Sequence, residues 1–136
     1  MTLHLDTNLL IDIVTTGSPH IAVIRQWLAA GEKLGTSAIA WSEFCNGPHS
    51  KEQKDAVFAV LERRVSDFTW RQAEEASRLF HRTGRRRGSH ADCMIAAGAM
   101  AAGVPVATRN VKDFERFVPF GLKLRAMETI AGVGKP

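Results

Sequence analysis

The chain is poor in cysteine and has no long uninterrupted apolar run, and each absence narrows what it does. Its two cysteines, Cys45 and Cys93, both fall inside apolar helical stretches, and neither has a second cysteine at metal-binding spacing. A disulfide framework is therefore excluded and a zinc site is not expected; small buried thiols in a reducing cytosol fit the pattern. Asp6 breaks the first apolar run, so no secretory signal is expected. The run from Met94 to Ala107 is too short, and too interrupted by glycine and proline, to span a bilayer. Repeats and low-complexity segments are also lacking, so nothing marks a second domain. The expectation is a soluble cytoplasmic protein, with no membrane partner, in which residues 1–131 form one domain and residues 132–136 a polar tail.

What is present is ample material for a core and an excess of positive charge. A chain of 136 residues buries roughly two thirds of the surface its unfolded form exposes. Lysine and arginine number 18 against 14 acids, a net charge of +4 with neutral histidine. The densest basic stretch is Arg82, Arg85, Arg86 and Arg87, with His81 and His90 beside it and Gly84 and Gly88 loosening the backbone. A polyanion is its natural partner; the plainer alternative is a solvated loop.

Apolar spacing orders the elements. Leu3 to Leu5 reads as a short buried strand, and Asn8 to Val14 as a helix ended by Gly17-Ser18-Pro19. Ile21, Ile24, Trp27 and Leu28 mark a second helix, Lys33 to Thr36 a second strand, and Ser37 the cap of a third helix through Glu43 and Phe44. A helix with Val57, Val60 and Leu61 inward runs to Arg64, and a third strand covers Val65 to Phe68. Trp70, Ala73, Ser77 and Phe80 are expected to face inward from the helix Trp70 to Arg82. Ser89 opens a helix rich in alanine and glycine that ends at Gly103. A strand at Val104 to Ala107, a short helix near Asp113 to Phe117 and a strand near Leu122 to Leu124 follow. Alternation of this kind predicts an α/β fold: a short parallel sheet of four or five strands flanked by helices on both faces. Sites in such sheets lie beyond the carboxyl ends of the strands, where Asp6 and Asn110 fall.

Three acids stand out against that background. Asp6 directly follows the first strand; Glu43 shares a helical face with Ile39 and Ala40; Asp92 shares one with Ile95, Ala96 and Ala99. Two carboxylates about 4 Å apart repel by roughly 4 kcal/mol at an effective dielectric near 20, so a gathered set retains a proton or binds a divalent ion. Structural roles compete with this reading. Asp6 would also cap the helix after it, and Ser89 with Asp92 has capping-box spacing. Asn110 and Asp113 form another cap-like pair. Glu43, mid-helix on an apolar face, has no such role. Asp12 is expected on the solvent side of its helix, His4 opposite Leu3 and Leu5, and Trp27, Trp41 and Trp70 in the core.

Four strings, Leu5-Asp6-Thr7-Asn8, Ser42-Glu43, Ala91-Asp92-Cys93-Met94-Ile95-Ala96-Ala97 and Ala107-Thr108-Arg109-Asn110-Val111-Lys112-Asp113-Phe114, together resemble the PIN domain family. More narrowly, the chain is similar to VapC-type toxins of type II toxin–antitoxin systems. The resemblance implies a PIN-like fold and a metal-dependent ribonuclease, usually a homodimer, masked by a small antitoxin. It carries the metal-binding acids onto Asp6, Glu43 and Asp92. Many relatives have Asp where this chain has Asn110, so the fourth position falls to Asn110 or Asp113. The implied chemistry is hydrolysis of an RNA phosphodiester by water activated on Mg²⁺, or Mn²⁺ in its place, with Arg85, Arg86, Arg87 and Arg109 on the RNA backbone. The competing class is a catalytically weakened PIN scaffold that only binds RNA or the antitoxin, which Asn110 favours. A phosphohydrolase using Asp6 as nucleophile is disfavoured, because Asn8 stands where its general acid belongs.

Overall fold

Leu3, His4 and Leu5 are all buried, at 0, 3 and 0 % exposure, so the first strand has no solvent face. That is the mark of a central strand covered by helices on both sides. The computed structural model describes residues 2–128; the expected tail at 132–136 and the last residues of the expected domain lie outside them. The strand is β1 (Thr2–Leu5), followed by α1 (Thr7–Ile13), α2 (Ile21–Ala29), β2 (Lys33–Ser37), α3 (Ala38–Cys45), α4 (Lys51–Val60), β3 (Val65–Ser66) and α5 (Trp70–Arg82). Then come α6 (His90–Ala102), β4 (Val106–Ala107), α7 (Val111–Glu115), a 3-10 turn at Val118–Phe120 and β5 (Leu124–Arg125).

All pairings are parallel, in the order β3-β2-β1-β4-β5. The chain steps from β1 to β2 and β3, then crosses back to β4 and β5. With right-handed crossovers, opposite directions of travel put helices on opposite faces of the sheet, as expected. They also create a switch point between β1 and β4, whose last residues Leu5 and Ala107 are paired. Among the described residues no helix is long and apolar enough to cross a membrane.

The core joins Leu3, Leu5, Leu34 and Val106 from the strands to Leu9, Leu10, Trp27, Phe44, Leu79, Ile95 and Phe114 from the helices. The small residues of α6 let it bury Cys93 and Ile95 through Ala99 against α5, α3 and β2. Gly103 ends that helix with φ +68, a left-handed cap that favours glycine. His4 does point away from Leu3 and Leu5: its Nε2 lies 3.2 Å from Ser66 Oγ on β3, and burial lowers its pKa.

Several expectations need correction. The helix expected to run to Arg64 stops at Val60, and Glu62 and Arg63 follow in left-handed conformation. β3, β4 and β5 are only two residues long. The face of α5 was misplaced, since Ala76 and Leu79 are buried whereas Trp70 is 66 % exposed. Trp70 is the first residue after the Thr69 cap, and Arg71 lies over its ring at 4.6 Å. Asp12 is not on the solvent side: it is 4 % exposed.

Candidate functional site

The switch point between β1 and β4 is where the chemistry collects. Asp6 leaves β1 and Thr108 leaves β4, side by side, with Asp6 N–H bonded to Ala107 O at 2.9 Å. Asp6 is 5 % exposed. Its Oδ1 accepts from Thr7 N at 2.8 Å, and its Oδ2 accepts from Thr108 Oγ1 at 2.7 Å and Asn8 Nδ2 at 3.4 Å. Asn110 N donates to Thr108 Oγ1 at 3.0 Å, so the backbone after β4 holds the threonine on the acid. Asp6 also starts α1 as its cap residue, so the structural role and the site role coincide.

Three other elements bring acids to Asp6. Glu43 on α3 accepts from Thr7 Oγ1 at 2.7 Å. Asp92 lies in the first turn of α6 and Asp113 in the first turn of α7. Asp6 titrates above its ordinary value, chiefly through burial, against the hydrogen bonds from Thr108 and Thr7; Glu43 and Asp113 push it further up. The carboxyl of Asp92 is raised to about 6 by burial first, then by Asp6 and Asp113, with Arg116 opposing and Glu43 adding a little. Asp6 and Asp92 therefore both feel the charges of Glu43 and Asp113, although the four come from four separate elements.

Each acid is turned toward a protein partner. Asp6 faces the two threonines, Glu43 faces Thr7, Asp92 lies 3.9 Å from Arg116 Nη2, and Asp113 lies 3.4 Å from Arg86 Nη1. In this arrangement no three of the His, Cys, Asp and Glu side chains among the described residues stand at ligating positions around one point. The donor set is nonetheless that of a hard divalent cation: carboxylate oxygens only, no sulfur or imidazole, with mutual repulsion that a dication would relieve.

The site differs from the sequence expectation in instructive ways. Glu43 is exposed, because Ala40 and Phe44, not Ile39 and Ala40, define the buried face of α3. Ser89 makes no capping bond; its hydroxyl donates to Arg86 O at 2.7 Å, so capping does not account for Asp92. Nor does the Asn110 side chain cap α7. Of the two residues expected for the fourth position, Asp113 joins the acids, and Asn110 contributes its N–H to Thr108. Arg86 reaches the cluster, Arg85 Nε donates to His81 Nδ1 at 2.8 Å, and Arg87 is exposed. Arg109 is bound elsewhere, its Nε 2.9 Å from Asp12 Oδ2. Thr7, Thr108 and Arg116 were given no site role by sequence reasoning. The strand-end rule that singled out Asp6 applies equally to Thr108, and Arg116 lies one helical turn after Asp113 on the same face.

A model of the PIN domain matches residues 3–118. No curated protein sequence matches the chain. Solved structures with the same fold include a FitAB complex bound to an IR36 DNA fragment, 19 % identical with TM-score 0.71 over 98 % of this chain and 99 % of that one. VapBC2 from Rickettsia felis, bound to a DNA fragment from its promoter, is 22 % identical with TM-score 0.67 over 92 % and 98 %. A toxin–antitoxin complex from Klebsiella pneumoniae is 24 % identical with TM-score 0.69 over 96 % and 100 %. At these identities the likeness establishes the fold.

Proposed function

The chain belongs to the PIN domain family, and on that premise we propose that it is a metal-dependent endoribonuclease, the toxin of a toxin–antitoxin pair. The observation that carries the reading is the accumulation of negative charge at the switch point, where Asp92 is raised to about 6 by burial and by Asp6, Asp113 and Glu43. Asp6 and Asp92 are the direct ligands of Mg²⁺ or Mn²⁺ in this reading, with Glu43 and Asp113 completing the set. When bound, the ion supplies activation of an attacking water and neutralisation of charge on the leaving oxygen.

The chain's own residues do the rest. Thr108 and Thr7 fix the rotamers of Asp6 and Glu43, as hydrogen-bond donors behind metal ligands do. Arg85, Arg86 and Arg87, on the loop before α6, bind the phosphate backbone, with affinity that falls as salt rises. Arg109, held by Asp12 through Nε yet still 38 % exposed, joins them. The small antitoxin, the homodimeric assembly, the cytoplasmic location and a single domain over residues 1–131 belong to the same reading. The competing scaffold-only reading relies on Asn110; the charge of Asp113, acting on Asp6 and Asp92, favours the catalytic one.

The test is cleavage of labelled RNA with Mn²⁺ by the parent, Asp6→Asn and Asp92→Asn. Cleavage by the parent alone, abolished by EDTA, is expected. Cleavage that persists in EDTA or in both variants contradicts the proposal.

A further inference from the structure

Arg116 follows the last residue of α7 and is the buried cation of the acid cluster, with 17 % of its side chain exposed. None of its three guanidinium nitrogens makes a hydrogen bond among the described residues. The group lies over the Phe117 ring at 4.7 Å, with Nη2 3.9 Å from Asp92 Oδ2. A buried guanidinium with unmet hydrogen bonds is costly unless its charge is useful where it sits. The ion pair Arg86–Asp113 is different in kind: Arg86 is 59 % exposed and free to reorient toward solvent.

We infer, resting on the metal-dependent reading above, that Arg116 is a built-in counter-ion that holds the acid cluster together without metal and weakens divalent-ion binding when metal arrives. Asp6, Asp92, Asp113 and Glu43 repel one another, and a fixed positive charge beside Asp92 offsets part of that repulsion. The same charge repels a dication drawn to the same carboxylates. Arg116 is thus a positioning residue that sets metal affinity, and it makes occupancy respond to the divalent-ion concentration rather than saturate at trace levels.

A merely structural arginine and a counter-ion differ in the sign of one effect. Removing a structural residue lowers stability and leaves metal affinity equal or weaker. Removing the counter-ion lowers the melting temperature in EDTA yet tightens Mn²⁺ binding, by about tenfold for a unit charge at several ångströms in a partly solvated site. Calorimetric titration of Mn²⁺ into the parent, Arg116→Met and Arg116→Lys reads this directly. Tighter binding by Arg116→Met, with Arg116→Lys close to the parent, is expected; equal or weaker binding by a folded Arg116→Met overturns the inference. If Arg116→Met does not fold in EDTA, Mn²⁺ must restore its fold, and failure to do so also overturns it. A parent that binds no Mn²⁺ instead refutes the metal-dependent reading itself.

Discussion

Helix α1 carries a buried acid at each end, Asp6 at 5 % and Asp12 at 4 % exposure, and the two are handled in opposite ways. Asp12 has a dedicated cation, Arg109 at 2.9 Å, and accepts Ser18 Oγ at 2.9 Å. Asp6 has hydrogen bonds from Thr7, Thr108 and Asn8, but its charged neighbours are other acids. One site is balanced within the chain and ties the loop before α2 to the segment after β4. The other is left short of positive charge. Burial of an acid therefore does not by itself mark function; the sign of the charges around it does.

The widest expected gap is between Asp6→Asn and Asp12→Asn assayed on RNA with Mn²⁺. The first loses about a hundredfold or more in cleavage, since the proposed function makes Asp6 a direct ligand, whereas the second retains most of it. Equal losses would erase the distinction. Stability should reverse the order. Asp12→Ala costs about 2 kcal/mol in urea unfolding, less than a fully buried pair because Arg109 keeps contact with water, and Asp6→Asn without metal costs little. A smaller change sharpens the role of the threonines: Thr108→Val should weaken Mn²⁺ binding about tenfold in calorimetry, as loss of a donor behind a ligand does.

Proton linkage gives the smallest effect. Asp92 holds its proton up to about pH 6 in the folded chain against an ordinary value of 3.8. Between those values the folded state binds more protons than the unfolded one, so its stability falls as pH rises through the window. Without metal, the melting temperature should rise on acidification from pH 7 toward pH 5, and the rise should shrink in Asp92→Asn. An identical slope in parent and variant would show that Asp92 is not the group responsible.

The same comparison shows what was legible in the sequence. The parallel α/β sheet, the place of Asp6 after the first strand and the inward face of α6 were readable, because strand ends and helical spacing are local. The partner of Asp12 was not, since Arg109 reaches it only after β4 lies beside β1. Glu43 was placed too deep because one turn of apolar residues does not fix the rotation of a short helix, and Phe44 settles it. Trp70 was assigned to the core by helical spacing with Ala73, Ser77 and Phe80, whereas the buried face of α5 runs through Ala76 and Leu79. Arg116 was passed over for a related reason: despite its spacing from Asp113, a charged residue late in a short helix reads as solvated until Phe117 and Asp92 are seen around it.

Manganese soaked into crystals of the parent and located by anomalous scattering bears most directly on the unbalanced site. A peak about 2.1 Å from carboxylate oxygens of both Asp6 and Asp92, with no peak at Asp12, is the expected result. A peak away from the switch point, or none at manganese concentrations that support cleavage, would contradict it.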